Sequence, residues 1–172
     1  MMRDNQRATT GLPSRRLVNW LGFIGSMLAM GVALVVLPVY LQWEPCNLCI
    51  FQRIVMIALA VVFLLAALHN PQYWGAKVYG ALIGLTAGVG AAIAIRHLWI
   101  QHLPADQAPE CGPSLNYLLD AMPLAQVIQT VLKGSGDCAE VQLFLGLSIP
   151  MWALLAFLTF GLAGAVRNWM RA

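Results

Sequence analysis

Residues 54–68 read IVMIALAVVFLLAAL, fifteen apolar side chains in succession. A run of that length without alternation suits a helix that meets apolar surroundings on every side, whereas a barrel strand would alternate over about ten residues. The uncharged stretch continues to Ala76, and three more lie around it, at Leu17–Trp43, Val78–Ile95 and Val141–Val166. A spanning helix needs about 20 mostly apolar residues, and a charge at mid-bilayer costs several kcal/mol. Four spans are therefore expected, at about residues 17–41, 50–68, 78–96 and 145–166, with Cys49 to Phe51 joined to the second. The expected fold is all-α: one integral membrane domain over residues 1–172, a polytopic four-helix bundle. The first stretch is longer than the h-region of a signal peptide and ends in LQWEPC, so it reads as a retained helix.

Composition agrees with that class. Of the 172 residues, 60% are hydrophobic and only 10% are charged. So few charges cannot cover a soluble domain, and a net charge of +3 is too small for a nucleic-acid-binding face. Lys and Arg give an orientation. Arg3, Arg7, Arg15, Arg16, Lys77, Arg167 and Arg171 fall on one side of a four-span topology. Arg53, Arg96 and Lys133 fall on the other, with six of the seven acids. Both termini are thus expected to be cytoplasmic, with outer loops at about 42–49 and 97–144. Trp20, Trp43, Trp74, Trp99 and Trp169 lie near the expected interfaces. Gly80, Gly84 and Gly88 stack at four-residue spacing and predict close packing of the third span. In the long outer loop, Leu124, Val127, Ile128, Val131 and Leu132 follow Pro123 at helical spacing. They predict a short amphipathic helix, either on the membrane surface or as a cap on the bundle. Gly134 to Gly136, reading GSG, predicts a mobile joint before Cys138.

All four cysteines fall on the outer side, which in a bacterium is the oxidising periplasm. Three readings stand open. Two structural disulfides suit Cys111 and Cys138, which would close a loop of about 28 residues and stabilise it by about 3–4 kcal/mol. They suit Cys46 and Cys49 poorly, because a C-x-x-C closes almost no loop. Thiolate ligation of zinc would need an improvised set, with His97 or His102 completing it. Covalent haem is excluded, since Ile50 rather than His follows Cys49. The third reading is redox exchange. Cys49 sits at the start of the second span, where free N–H groups favour an anion, and Arg53 stands one turn deeper on the same face. Both stabilise a Cys49 thiolate, and Pro45 fixes the approach to Cys46. Arg53 could instead snorkel to headgroups, or hold a carbonyl of a membrane-soluble electron acceptor. His97 reads as a solvated interfacial histidine or as a proton donor to such an acceptor. Arg96, Trp99 and His102 carry less, and Trp152 reads as packing.

These strings resemble a known family. EPCNLCIFQR (residues 44–53), ECGPSLNY (110–117), GSGDCAE (134–140) and FLGLSIPMW (144–152) occur in the order and spacing of the disulfide bond formation protein B (DsbB) family. The last resembles the start of that family's fourth helix. The resemblance covers roughly Leu17 to Val166. It implies a four-helix inner-membrane bundle that reoxidises a periplasmic thioredoxin-like dithiol oxidase, DsbA, and passes two electrons to ubiquinone or menaquinone. It also implies redox-active disulfides Cys46–Cys49 and Cys111–Cys138. Cys111 would form the mixed disulfide with the partner, and Cys49 would contact quinone, assisted by Arg53. His97 would stand near the quinone, with no metal and no nucleic acid involved. Gln52 replaces an acid found in some relatives, and little consequence is expected from that. The alternatives are a structural or metal-binding membrane protein, and a related enzyme that oxidises a different periplasmic partner.

Overall fold

A computed structural model describes residues 13–43, 45–104, 107 and 109–170. Arg3, Arg7 and Arg171, which entered the orientation argument, and Glu44 of the first signature string lie outside the described residues. The protein is all-α and polytopic, and among the described residues four helices are long and apolar enough to cross a membrane: Arg15–Tyr40, Asn47–His69, Trp74–Gln101 and Ile149–Trp169.

The first span has two parts. Ser14 caps α1 (Arg15–Gly31), its hydroxyl accepting from the Leu17 N–H at 3.3 Å. The helix then widens into a π-helix over Val32–Tyr40, with Pro38 inside it. Proline has no N–H to donate and its ring crowds the preceding turn, so it loosens the ladder there. The sequence reading treated this stretch as ordinary helix, although Pro38 was the available signal.

α2 (Asn47–His69) ends at Asn70, which adopts the left-handed conformation (φ 40°, ψ 53°), and Pro71 prevents continuation. α3 (Trp74–Gln101) begins earlier than expected, so Lys77 lies in its first turn rather than in the connection. α3 packs most extensively on α6 (Ile149–Trp169), where the backbones approach closely. A Cβ added at Gly80 would stand 3.2 Å from the Ala165 carbonyl oxygen, and one at Gly90 would enter the Phe157 ring at 2.3 Å. Gly84 also faces Ala165, but Gly88 faces open space, so only two of the three stacked glycines serve this contact. Met56, Leu59, Phe63, Ile83 and Phe157 fill the core between the helices.

The outer end is capped by α4 (Leu115–Ala121) and α5 (Leu124–Lys133). α5 is the expected amphipathic helix. Its Val127 and Val131 are buried against Leu48 and Ile100, while Leu124, Ile128 and Leu132 stay exposed. It is therefore a cap that still offers an apolar side outward. Arg96 holds its end, donating to the carbonyls of Leu132 (3.2 Å) and Lys133 (2.9 Å). α4 was not expected.

The last span begins at Ile149 rather than near residue 145. Residues 143–148 form a hairpin of β1 (Leu143–Phe144) and β2 (Leu147–Ser148). Its turn has positive φ at both Leu145 (51°) and Gly146 (86°), the geometry of a two-residue hairpin loop. Pro150 then falls in the first turn of α6, the one helical place where its missing N–H costs nothing.

One polar contact crosses the apolar core. Asn19 of α1 and Asn168 of α6 are both buried and exchange amide hydrogen bonds of 3.3 and 2.8 Å. Asn168→Ala leaves the buried Asn19 amide without this partner, whereas Asn19→Ala leaves Asn168 with only its bond to the Gly164 carbonyl at 2.8 Å. A double-mutant cycle on Asn19→Ala and Asn168→Ala, read by unfolding in detergent, is expected to give a coupling of about 0.6–1.7 kcal/mol. Additive effects would show that the pair carries no joint stabilisation.

Candidate functional site

The start of α2 brings three sulfurs to one place. Cys46, which follows Pro45, is the N-cap residue in extended form (φ −67°, ψ 166°), its carbonyl accepting from the Ile50 N–H at 3.2 Å. Asn47, Leu48 and Cys49 form the first turn, so the Cys49 thiol lies against the free N–H groups of the helix end. Cys46 and Cys49 both line the same small cavity at the helix start. The Cys46 sulfur also lies within 4.8 Å of that of Cys138, which enters from the 3₁₀ turn Gly136–Cys138. Cys46 thus stands between Cys49 and Cys138, and all four cysteines are thiols in this structure.

His97, on the last turns of α3, is 2% exposed. Its Nε2 lies 3.7 Å from Cys46 Sγ, and its Nδ1 lies 3.4 Å from the side-chain amide of Gln52. Gln52 therefore orients the imidazole that faces Cys46. The sequence reading gave Gln52 little weight because its only signal was a substitution relative to relatives. His102 does not join the group; it is exposed and its Nδ1 is 2.7 Å from the Leu98 carbonyl oxygen of its own helix.

Two cavities meet at Cys49. A small polar one is lined by Cys46, Cys49, His97, Asp137 and Glu140, among others. The other has a volume of about 330 Å³ and mostly apolar walls, with Cys49, Gln52, Arg53 and Trp152 among its lining residues. Val32, Ala33 and Leu37 of the π-helix form part of its wall. Arg53 is half-buried there, one turn below Cys49. Trp152 is more than packing, because it lines this cavity while its indole N–H donates to the Phe144 carbonyl at 2.8 Å and pins the hairpin in place. No compositional signal marked it. His97 is not among the residues lining this larger cavity.

Cys111 is exposed and lies apart from the α2 thiols, beside Asp137. The Gly136 N–H donates to the Glu110 carbonyl at 2.9 Å, and a Cβ at Gly136 would stand 2.7 Å from the Pro109 carbonyl oxygen. Only glycine permits that approach. Gly134 is equally confined, with φ 86° and a would-be Cβ 2.2 Å from Ile100. The GSG segment, expected as a mobile joint, is here a packed turn, because its glycines admit neighbours. The hydrogen bond and charge of Asp137 push the Cys111 thiol up from its ordinary range. Contact with Cys46, and then burial, push Cys138 up further.

Among the described residues, four membrane-length helices carry a thiol cluster at one end that opens on an apolar cavity, the architecture of a multi-pass membrane thiol protein. Comparison narrows this. The family model described as "Disulfide bond formation protein DsbB" matches residues 15–166. Proteins named "Disulfide bond formation protein B" are similar along most of their lengths. The one from Nitrosococcus oceani is 48% identical over 149 residues, covering 84% of this chain and 87% of its own. That from Hahella chejuensis is 49% identical over 152 residues, covering 86% and 89%. That from Methylococcus capsulatus is 43% identical over 163 residues, covering 92% and 96%. The chain belongs to the DsbB family of disulfide bond formation proteins.

The carboxylate beside Cys111 makes a test of local electrostatics. Asp137→Asn removes a charge that disfavours the thiolate, so more Cys111 is ionised at a given pH. In fully reduced protein at neutral pH, Cys111 of that variant is expected to alkylate several-fold faster than in wild type. An unchanged rate would show that Asp137 does not govern this thiol.

Proposed function

We propose that the protein is a quinone-linked disulfide oxidoreductase of the bacterial inner membrane. It reoxidises a periplasmic DsbA-type dithiol oxidase, with both termini cytoplasmic and the four cysteines periplasmic. The observation that carries this reading is the position of Cys49, one side chain that touches the thiol cluster and also lines the apolar cavity.

The cavity suits a quinone. Its 330 Å³ is within the size of small-ligand pockets, its walls are mostly apolar, and its few polar groups are concentrated about Cys49 and Arg53. Arg53 would hold a carbonyl oxygen of ubiquinone or menaquinone through its planar donors. A bound quinone supplies the sink for two electrons and two protons.

The chain's own residues carry the relay. In the resting form the disulfides are Cys46–Cys49 and Cys111–Cys138. Exposed Cys111 receives the partner's thiolate: a sulfur–sulfur bond forms to Cys111, and the Cys111–Cys138 bond breaks to release Cys138. Cys138 then bonds to Cys46 and breaks the Cys46–Cys49 bond, which leaves Cys49 as a thiolate beside Arg53. The place of Cys46, beside Cys49 on one cavity wall and within 4.8 Å of Cys138, supports this order. The partner's second thiol then attacks the mixed disulfide, leaves as the oxidised partner and frees Cys111; Cys111 re-forms its bond to Cys138 and releases Cys46, and Cys46 re-forms its bond to Cys49 as the two electrons and two protons that arrived with the partner's thiols leave the chain. His97 acts from behind, holding a proton beside Cys46. Gln52, which touches His97 and lines the cavity, joins it to the acceptor end.

Purified protein in detergent, supplied with a reduced DsbA-type partner and quinone, is expected to bleach quinone absorbance. Cys49→Ala abolishes this, and Arg53→Ala slows it by about tenfold or more, as loss of a preorganised donor does. Absence of turnover with either quinone class, from protein shown to be folded, overturns the reading.

A further inference from the structure

The polar pocket beside Cys46 holds a set of atoms with a second chemistry. Cys46 Sγ, a ring nitrogen of His97 and Cys138 Sγ all lie within 4.8 Å of one another, with the measured sulfur–nitrogen separation at 3.7 Å. In a tetrahedral zinc site, Zn–S bonds of about 2.3 Å and Zn–N bonds of about 2.0–2.1 Å place sulfur and nitrogen ligands ~3.5 Å apart and two sulfurs ~3.8 Å apart. The sulfur–nitrogen pair already stands at that spacing, and the other two separations are no more than 4.8 Å, so side-chain adjustment closes the triangle.

The geometry points to a zinc-binding site in the dithiol form of this protein, made by Cys46, His97 and Cys138. Two thiolates and a neutral imidazole around a divalent ion sum to zero charge. That matters where Cys138 is 0% and His97 2% exposed, because a net charge there would lose its hydration. The surroundings also provide what a metal site needs beyond its ligands. Gln52 contacts the other ring nitrogen at 3.4 Å and fixes the ring's orientation, as outer partners of ligating histidines do. Two of the three ligands, Cys46 and His97, line a small polar pocket together with Asp137 and Glu140, which can offer water or a carboxylate as the fourth ligand. A binary choice follows. Coordination requires both sulfurs reduced and releases their two protons to solvent, whereas any disulfide through Cys46 removes a ligand. Zinc therefore competes with thiol exchange and holds the protein reduced. The site itself is independent of the quinone-linked reading; only inhibition of turnover rests on it.

Cobalt(II) reports this directly, because thiolate ligation gives it near-ultraviolet charge-transfer absorption and tetrahedral geometry gives it strong visible bands. Metal-free wild-type protein in detergent, fully reduced under anaerobic conditions, is expected to take up one cobalt with both signals and to lose them when zinc is added. Oxidised wild-type protein is expected to show neither signal. Cys138→Ser and His97→Ala should each raise the half-saturating cobalt concentration by about tenfold or more, since losing a ligand costs at least as much as losing an outer partner. Cys111→Ser should leave it unchanged. The site is overturned if reduced wild-type protein shows no charge-transfer band, if the oxidised form binds equally, or if binding depends on Cys111 instead of Cys138. The reduced-against-oxidised comparison needs no variant, so a misfolded mutant does not obscure the answer. Zinc should also stop quinone bleaching until a chelator is added. If turnover is absent altogether, the quinone reading falls while the cobalt result still decides the site.

Discussion

Hydrocarbon offers no partner to a free N–H or C=O, and most of this architecture follows from that constraint. Apart from the π-widened third of the first span, the non-helical backbone among the described residues lies beyond the ends of the spans, and the thiols gather there too. The thiol cluster is built around the first turn of α2, where a helix leaves N–H donors without intrahelical partners. Cys46 starts the helix with its carbonyl, and Cys49 lies three residues on against the open N–H groups. The tighter 3₁₀ turn that carries Cys138 and the hairpin before α6 also sit outside the continuous helices, at the same end of the bundle.

The cluster is defined by what approaches it from elsewhere in the chain. α3 supplies His97, α2 itself supplies Gln52 to steady the imidazole, and the second loop supplies Cys138. That loop is not draped loosely. Val127 and Val131 sink into an outer core with Leu48 and Ile100, Arg96 ties down the end of α5, and Gly134 and Gly136 admit neighbours that any side chain would exclude. Packing of the cap is thus what brings Cys138 to Cys46.

The spans were legible because the membrane imposes a simple rule on composition: long uncharged runs must be helices. The amphipathic period of residues 124–132 was legible for the same kind of reason, since Val127 and Val131 had a face to bury. The π-widening at Val32–Tyr40 was not, because hydropathy is blind to which carbonyl an N–H selects. Nor was the hairpin at 143–148, whose residues are as apolar as the helix that follows; only the position of Pro150 hinted at a later start. The cysteines announced themselves by type, but their neighbours did not. Gln52 and Trp152 gain meaning from three-dimensional placement, and sequence separation from His97 and Phe144 carries no such information. Asn19 and Asn168 are 149 positions apart, and nothing local to either suggests the other.

Cys49 is a party wall. The rooms on its two sides share few other occupants: Ala29, Ala33 and Leu37 belong to the apolar one, while His97, Gln101 and Asp137 belong to the polar one. Mutations that reshape one room therefore leave most of the other's surfaces untouched. Selection acting on what enters from the lipid can proceed almost independently of selection acting on what arrives from the aqueous side, and a lineage can change one customer without renegotiating with the other.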